Sequence, residues 1–445
     1  MYACFKWPFY MRESFVKLQS LLFALMILGP LEARGEEPVI TRIVIEGNRV
    51  TREHVIRREV THPLGAPFDS LLAAQDRNRL YNLRIFEMVA VYTRPADDNE
   101  TELVVEVHES LRFLAIPIIY RVEEIGWSYG GAVNMVNFQG LNRIVGATIT
   151  LGGENTYHFQ FFDPWIWGNQ ISLTSSITDR YFNHPVYRFR VRERQVQFGL
   201  GKFSEKKTLL GRVSLAVVDR DLSWRTGTIG PDPPGGVRVD LRHRTLHVNL
   251  LLRLRTMDIW RDPTNGFRLK VLYVPKIAMD EVSPDYTLMQ VEGAIYRQLR
   301  GGAHPTVLAW AASLSAQTGE VQFYSQQYLG GIWVRGFGLI PADAPEGVRR
   351  RLEAESLVAT AVELRQTIIP RKIVEGAEWG LGGLLFLDVA WGYGATRPLE
   401  AAQPISGFGA GLRLFMPYLD NFGVDLGINT YNFAPKVRFR LGHKF

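Results

Sequence analysis

Short runs of alternating apolar and polar residues recur along most of the chain. Examples are TYHFQFF at Thr156–Phe162, YRFRVRER at Tyr187–Arg194 and the leucine-rich run Leu246–Leu254, and the scheme returns at Phe267–Tyr273 and Val437–Leu441. Successive side chains of a β-strand point to opposite faces, so each run predicts a strand with one apolar and one wet face.

Alternation alone leaves two architectures open. A soluble barrel or sandwich buries the apolar faces, whereas a membrane barrel turns them to lipid and turns the polar faces to the lumen. For the run at Tyr187–Arg194, the membrane alternative predicts that Tyr187, Phe189 and Val191 face lipid while the arginines face the lumen. The two ends of the chain favour the membrane alternative.

The first residues have the features of an export signal. A charged segment containing Arg12 precedes the apolar run Leu21–Leu28, and Ala33 and Gly35 are the small residues that a signal peptidase recognises. We expect residues 1–35 to be a signal peptide. The alternative, a single membrane-anchoring helix, is disfavoured because an apolar stretch of about 10 residues is too short to span a bilayer.

Residues 38–109 predict one small α+β domain with the element order βααββ. Thr51 is expected to cap the first helix, and Asp69 or Ser70 is expected to start the second. Polar turns separate the alternating segments on either side of the helices. The expected strands are Val39–Glu46, Phe86–Tyr92 and Thr101–Val107.

About 335 residues remain in the segment 110–445. At about 21 residues for each strand and its connection, they give roughly 16 strands, which fits membrane strands of about 9–11 residues with loops. The sheet has to close, because unpaired backbone groups cannot be satisfied in lipid. The predicted fold is therefore an all-β transmembrane barrel of about 16 antiparallel strands behind one α+β domain.

Composition excludes some classes of protein. The mean hydropathy is −0.05, and no further apolar run of about 20 residues follows the signal, which excludes a polytopic helical membrane protein. The only cysteine is Cys4, in the segment expected to be removed, so no thiol chemistry is expected. The net charge is +6, but the arginines recur at strand spacing rather than in one basic cluster, which disfavours nucleic-acid binding.

The N-terminal domain resembles a POTRA domain, the periplasmic module of the BamA/TamA outer-membrane assembly family. The residues that carry this resemblance are Ile43–Asn48 at the start, Leu80–Phe86 in the middle and Val104–Glu109 at the end. The match extends over the whole predicted domain. The alternative is an unrelated small α+β domain.

A second resemblance lies in GGIWVRGFG at Gly330–Gly338. Its tetrapeptide is similar to the signature of the superfamily that contains BamA, TamA and the two-partner-secretion translocators, where it lies on an extracellular loop folded into the lumen. The resemblance implies a loop-lock motif whose arginine pairs with an aspartate of the barrel wall, although Ala390 stands where glycine is usual. A guanidinium in a partly dehydrated lumen needs a fixed anion; the alternative is that both groups are independently solvated. The residues concerned are Val334, Arg335, Gly336, Phe337 and Asp388.

The chain ends in alternating apolar residues, a glycine and an aromatic residue, which resembles the C-terminal signal of bacterial outer-membrane barrels. The residues are Phe439, Leu441, Gly442 and Phe445; the alternative is a plain terminal strand. Further segments match the family in order along the barrel. These are Asn137–Gly140, Phe162–Trp165, Asp262–Gly266, Glu363–Arg365 and Gly423–Gly427.

The resemblance implies an outer-membrane protein assembly or insertion factor, with the POTRA domain in the periplasm. Its barrel would open at a seam between a first strand near Leu111–Tyr120 and a last strand at Val437–Phe445, and Val89–Tyr92 or a neighbouring strand would offer a POTRA edge to the client. The implied partners are unfolded outer-membrane or secreted polypeptides, the lipid bilayer, and periplasmic chaperones or accessory subunits. No metal, nucleotide or other cofactor is expected.

Other functions stay open at this stage. A dedicated polypeptide or lipid exporter of the two-partner-secretion type, and a passive pore, share the same fold. An enzyme is not expected, because the sequence contains neither Gly-x-Ser-x-Gly nor His-Glu-x-x-His. The nine histidines are scattered, and His184 and His243 are interpreted as structural. The sequence does not reveal the client, the oligomeric state or any accessory subunits.

Overall fold

The structure is a computed structural model. It describes residues 39–445 with the exception of several short segments, which are 97–100, 123–125, 168–169, 185–186, 188, 206, 225–231, 233–239, 339–347, 349–350, 375–376, 395–397, 417–420 and 442. The expected signal peptide at 1–35 and the predicted signal residue Gly442 therefore lie outside the described residues.

The N-terminal domain has the predicted order of elements. Its sheet order is β1-β3-β2, so β3 is central, parallel to β1 and antiparallel to β2, and both β1 and β2 are edge strands. Two helices cover one face of this sheet, and a core that includes Val55, Ile56, Leu80 and Val105 lies between them. The elements are β1 Ile40–Glu46, α1 Glu53–Arg57, α2 Ser70–Tyr81, β2 Phe86–Pro95 and β3 Thr101–Glu109.

One predicted helix cap is wrong and the other is present. Asp69 accepts hydrogen bonds from the N–H groups of Leu71 and Leu72 and begins α2 as expected. The N-cap of α1 is Arg52, which makes no side-chain capping bond. Thr51 is instead held from outside the helix, because its N–H donates to the Glu109 carboxylate at 2.6 Å.

A 16-stranded sheet in which neighbouring strands are antiparallel forms the second domain, and its order follows the chain from β4 to β14 and from β17 to β21. The short pair β15 and β16 lies in the long connection between β14 and β17. No helix in the described part of the chain is long and apolar enough to cross a membrane. The strands are β4 Phe113–Val122, β5 Gly126–Phe138, β6 Arg143–Gly152, β7 Glu154–Asp163, β8 Ile171–Asn183, β9 Phe189–Phe203, β10 Leu209–Trp224, β11 Leu241–Arg255, β12 Gly266–Ala278, β13 Tyr286–Arg300, β14 Thr306–Gly319, β15 Gln327–Tyr328, β16 Glu353–Ala354, β17 Ser356–Val374, β18 Ala377–Tyr393, β19 Ile405–Phe415, β20 Phe422–Asn429 and β21 Pro435–Leu441.

The alternating runs place apolar side chains on the outer surface of the barrel in most strands. Tyr157 and Phe159 of β7, Leu250 and Leu252 of β11, and Phe267 of β12 are all exposed there. Large exposed apolar side chains recur on nearly every strand of the sheet. An apolar band of this extent needs a lipid environment, because soluble monomers rarely expose apolar patches beyond a few hundred Å².

The prediction for the run Tyr187–Arg194 is wrong. Phe189 and Val191 are buried inside the barrel, where they pack against Leu222 and, through Phe189, against Phe323 of the long loop. Arg190, Arg192 and Arg194 alternate with them and therefore lie on the outer surface. This end of β9 extends beyond the apolar band, so its outer face meets water while its inner face packs against a loop.

The upper edge of the apolar band is sharp on β8 to β11. Each row there crosses the four strands in direct register. The last apolar row is followed by two rows rich in aspartate and arginine, which we call the charged rows. The apolar row is Ile177, Val196, Val217 and Leu246. The charged rows are Asp179, Arg194, Asp219 and Arg244, and then Tyr181, Arg192, Asp221 and Arg242.

The small domain docks on the turns at one end of the barrel. Asn137 at the end of β5 donates from Nδ2 to the hydroxyl of Thr51 at 2.8 Å, and the N–H of Arg52 donates to the Gly140 carbonyl at 3.0 Å. Gly140 has a φ of +72°, and a Cβ there would lie 2.1 Å from the carbonyl oxygen of Val50. The segment Asn137–Gly140 is thus a close backbone contact between the two domains.

Three further turns of the barrel contact the same domain. Lys207, between β9 and β10, forms an ion pair with Glu59, and the guanidinium of Arg58 lies 4.3 Å from the centre of the Trp165 ring. Burial lowers the pKa of Lys207 and that of Arg58, although Glu59 favours the charged form of each. On the far side, the N–H of Trp260 donates to the Asn82 side chain at 3.0 Å.

Candidate functional site: the lumenal loop lock

The loop between β14 and β17 enters the barrel. Val334, Arg335 and Phe337 are completely or almost completely buried. Val334 and Phe337 belong to an apolar cluster with Leu329 and Leu352 of the same loop, and with residues of the strand ends that include Leu357 of β17. Burial of this apolar surface holds the loop in place and keeps water away from Arg335.

Arg335 and Asp388 are in direct contact. The Nε of Arg335 donates to Oδ2 of Asp388 at 2.8 Å, its Nη2 donates to Oδ1 at 2.8 Å, and its backbone N–H donates to Oδ2 at 2.9 Å. Both side chains are fully buried. This is a bidentate guanidinium–carboxylate pair, the geometry in which such bonds are strongest, and it rules out independent solvation of the two groups.

Two more carboxylates and an aromatic ring complete the surroundings of Arg335. Its Nη1 donates to Glu363 of β17 at 2.6 Å and lies 3.6 Å from a carboxylate oxygen of Asp425 on β20. Its guanidinium carbon lies 3.6 Å from the centre of the Phe386 ring. One loop arginine therefore bridges three strands of the wall, and we call this cluster of Arg335, Asp388, Glu363 and Asp425 the loop lock.

Further cations balance the three carboxylates. Lys444 lies 2.9 Å from Asp388, and Arg365 donates from Nε to Glu363 at 2.9 Å. Arg413 and Arg440 lie 2.6 and 3.0 Å from the oxygens of Asp425. Each buried carboxylate thus has at least two cationic neighbours, as buried charges require.

Sequence reasoning missed most of this network. Glu363 and Asp425 lie in segments that match the family, but nothing in those segments alone indicated that they meet Arg335. The alternation of β17 and β20 would have placed them on the wet face. The alternation does not show that Glu363 and Asp425, which are far apart in sequence, both contact Arg335.

Glycines allow the loop to lie directly on the wall. Gly336 has a φ of +100°, and a Cβ there would lie 2.7 Å from the backbone of β20. In the wall itself, a Cβ on Gly407 of β19 would lie 2.1 Å from the Arg335 carbonyl, and one on Gly427 of β20 would lie 2.5 Å from the Gly336 nitrogen. The loop backbone therefore lies in a groove of the wall that is open because Gly407 and Gly427 have no side chains.

The predicted C-terminal signal residues are divided between two surfaces. Phe439 is exposed on the outside of the barrel, and Leu441 pairs with Phe422 where β21 ends. The expected strand Val437–Phe445 is therefore shorter at its end, because Phe445 turns into the barrel. Its ring is buried beside Tyr296 and its carbonyl oxygen accepts a hydrogen bond from Arg365 at 2.8 Å.

The two histidines that were interpreted as structural lie away from the loop lock. His184 is buried and stacks on Tyr187, with ring centres 5.3 Å apart. His243 forms a hydrogen bond with the Tyr324 hydroxyl. His184 also lies edge-on to Tyr328 of the long loop, with ring centres 6.4 Å apart, so both histidines pack the long loop against the barrel rim. The loop lock itself is a desolvated ion cluster that can hold a loop and brace strands.

Comparison with known proteins fits this geometry. Residues 137–445 match the Omp85 superfamily domain, and residues 38–110 match the POTRA family described as a surface antigen variable number repeat. The fold is similar to that of BamA from Haemophilus ducreyi lacking POTRA domains 1–3, with a TM-score of 0.56, 15% identity, and coverage of 92% of this chain and 84% of that chain.

Two further solved structures have the same fold. CdiB from Escherichia coli matches with a TM-score of 0.60 at 13% identity, over 91% of this chain and 76% of that one. CdiB from Acinetobacter baumannii matches with a TM-score of 0.53 at 14% identity, over 91% and 73%. The protein is thus an outer-membrane β-barrel with a periplasmic POTRA domain.

The chain belongs to the Omp85 superfamily. The resemblance inferred from the sequence, the predicted barrel of 16 antiparallel strands and the outer-membrane location are confirmed. Omp85 proteins act in the insertion or transport of polypeptides.

Proposed function

We propose that this protein inserts β-barrel clients into the outer membrane through a lateral seam between β4 and β21. The observation that carries the proposal is the absence, among the described residues, of a hydrogen-bonded ladder between these two strands. Among the described residues, the ladders run from β4 through the sheet to β21 and include none between β21 and β4. Strand edges in lipid are costly when unpaired and form a template for an incoming strand.

The end of β21 supports a weak seam. β21 has 7 residues, whereas β4 has 10. After Leu441, the chain turns inward, so that Lys444 and Phe445 contact the lumen instead of continuing the strand. A client strand can pair with the edge of β4 that this short strand leaves uncovered.

The POTRA domain offers a second edge. The predicted segment Val89–Tyr92 lies within β2, which is an edge of the domain's sheet and pairs only with β3 among the described residues. An unfolded client can add to this edge by backbone hydrogen bonding. Burial of client side chains and the formation of backbone hydrogen bonds drive the transfer, without nucleotide or metal.

The loop lock braces the wall beside the seam. Its carboxylates are on β17, β18 and β20, and Lys444 connects the end of the chain to Asp388. We propose that the lock keeps these strands in register while the neighbouring seam opens. The lumenal loop also favours lateral insertion over passage through the lumen, because export through the lumen would require release of Arg335 from three buried carboxylates.

A disulfide across the seam tests the proposal. Cysteine pairs are stepped along β4 and β21, and oxidation is expected to abolish insertion of a barrel client into vesicles or cells, with recovery on reduction. The matched control is Ala294→Cys with Ala311→Cys, which lie opposite each other in the intact ladder of β13 and β14. Full insertion activity with a cross-linked seam would falsify the proposal.

Export by a two-partner-secretion mechanism is the alternative, and the fold shared with CdiB supports it. Depletion of the protein followed by proteomics of the outer membrane separates the functions. We expect loss of many barrel proteins; loss of one secreted product would favour the exporter, and no loss would favour a passive pore.

A further inference from the structure

A cavity of about 780 Å³ lies between the POTRA domain and the periplasmic mouth of the barrel. Its walls come from α2 on one side and from the inner faces of β10, β11 and β12 on the other, and we call it the vestibule. Its size is that of a ligand pocket. Nine basic side chains but only two acidic ones line it.

Several of these basic groups repel one another. Arg255 of β11 lies directly opposite Arg268 of β12, a like-charge pair that destabilises a sheet. Arg253 follows on the same face, and Arg212 adds a further charge from β10. Within the described residues, none of these four arginines forms an ion pair with a carboxylate.

A nearby pair shows the contrast. Lys270 lies opposite Arg253, but its ammonium group forms an ion pair with Glu292 at 3.0 Å. Glu292 thus compensates the charge of Lys270, whereas Arg255 and Arg268, the next pair towards the vestibule, have no such carboxylate in the described part of the chain. An arrangement that costs stability and is left uncompensated points to a ligand that supplies the missing charge.

Aromatic rings fix the direction of the arginines. The guanidinium of Arg255 lies 4.8 Å from the centre of the Trp260 ring, and that of Arg212 lies 5.8 Å from the Phe162 ring. The Nε of Arg212 is buried and has no hydrogen-bond partner. Rings hold guanidinium groups by cation–π attraction without using their N–H groups, which stay available to an anion.

We propose that the vestibule binds an acidic segment of the client polypeptide, with carboxylates bridging Arg255 and Arg268. Guanidinium groups recognise carboxylates by paired N–H bonds. The arginines lie on the inner faces of their strands, away from lipid, so a polypeptide on its way from the POTRA domain reaches them more readily than a lipid whose acyl chains need the outer surface. The inference rests on the proposed function because it takes the ligand to be a client segment.

Binding of a labelled oligoglutamate peptide tests the site. The full mature chain in detergent micelles is titrated and followed by fluorescence anisotropy, with oligoglutamine and oligolysine peptides as probes of charge. We expect binding of oligoglutamate alone, weakening as salt is added because the contacts are ionic.

The double variant Arg255→Gln with Arg268→Gln is expected to bind the peptide about tenfold more weakly or worse. Its control is Arg192→Gln with Arg242→Gln in the charged rows, at the opposite end of the barrel, which is expected to leave the affinity unchanged. Removal of a repulsive pair is expected to preserve folding. A comparison of the electrophoretic mobility of heated and unheated samples checks that the variant barrel is folded. Arg212→Gln provides a single substitution with the same expected direction.

Three results would overturn the inference. They are equal affinities of wild type and the Arg255/Arg268 variant, an equal loss in the charged-row control, and binding of inorganic phosphate or anionic phospholipid micelles at these arginines with no binding of oligoglutamate. The assay requires no client insertion, so its failure leaves the seam proposal standing. Conversely, an active protein with a cross-linked seam would leave the peptide site intact.

Discussion

At the scale of single residues, the loop lock is a balance of buried charges. Arg335 compensates Asp388 and Glu363 directly, and removal of one member of such a set leaves an uncompensated buried charge, which costs about 3–5 kcal/mol. The arginine and its aspartate could be predicted from the sequence because short motifs carry them. The contribution of Lys444 could not, because it depends on the inward turn of the chain after β21.

We expect Arg335→Met to release the loop. Asp388 and Glu363 then lose their shared cation, and the cost of keeping them buried without it favours a released loop that lets water reach them. In a background with Val334→Cys, whose position is fully buried, a bulky maleimide should react only after this substitution. Adding Asp388→Asn should restore part of the protection because it removes one uncompensated charge. Equal labelling of all three proteins would contradict the lock.

We expect Gly336→Ala to prevent docking of the loop as well. A positive φ costs an alanine about 1–2 kcal/mol, and at this position the added Cβ also meets the β20 backbone at 2.7 Å. Gly302→Ala is the matched control, since Gly302 has a φ of +89° and nothing within 4 Å of the added atom. The same maleimide assay should report labelling for Gly336→Ala alone; labelling of both variants would assign the effect to backbone strain.

At the scale of the elements, β9 shows what alternation does and does not predict. The period of 2 correctly gave a strand with two different faces. It could not tell which face points inward, because that depends on whether the strand segment lies within lipid or beyond it. On its outer face, Arg192 belongs to the charged rows while Val196 belongs to the apolar band, and one strand thus changes its relation to solvent along its length.

The charged rows place the upper boundary of the membrane on β8 to β11, which gives a depth-dependent prediction. Val213→Arg, two rows deeper in the apolar band, is expected to cost about 2–4 kcal/mol of the free energy of unfolding, and Val217→Arg, next to the charged rows, about 0–1 kcal/mol. Equilibrium unfolding in lipid vesicles measures both. Equal costs would mean that the boundary is elsewhere.

At the scale of the whole molecule, the POTRA domain is docked against the barrel by four turns. Contacts at Gly140, Trp165, Lys207 and Trp260 hold it over the periplasmic mouth. The existence of the two domains could be predicted from the sequence, because one has a mixed pattern of helices and strands and the other has only alternating strand runs. Their mutual placement did not, because it arises from turns that looked like ordinary connections.

We expect Gly140→Ala to loosen this docking. The added Cβ would lie 2.1 Å from the Val50 carbonyl, so the two domains have to separate. Gly65→Ala within the POTRA domain is the control, because Gly65 has a φ of +80° but nothing within 4 Å. Hydrogen exchange of the Arg52 and Trp260 amides, which donate across the contact, reports the docking; unchanged exchange in Gly140→Ala would show that these contacts are dispensable.

Departure of the lumenal loop is an exchange reaction rather than a simple release. When Arg335 withdraws, the oxygens of Asp388, Glu363 and Asp425 that it contacted lose their partner, while Lys444, Arg365, Arg413 and Arg440 stay beside them. Protons, inorganic cations or basic residues of a passing chain can take the place of the guanidinium, and each will do so at a different rate. The ionic composition of the surrounding medium will therefore set how long the barrel stays closed.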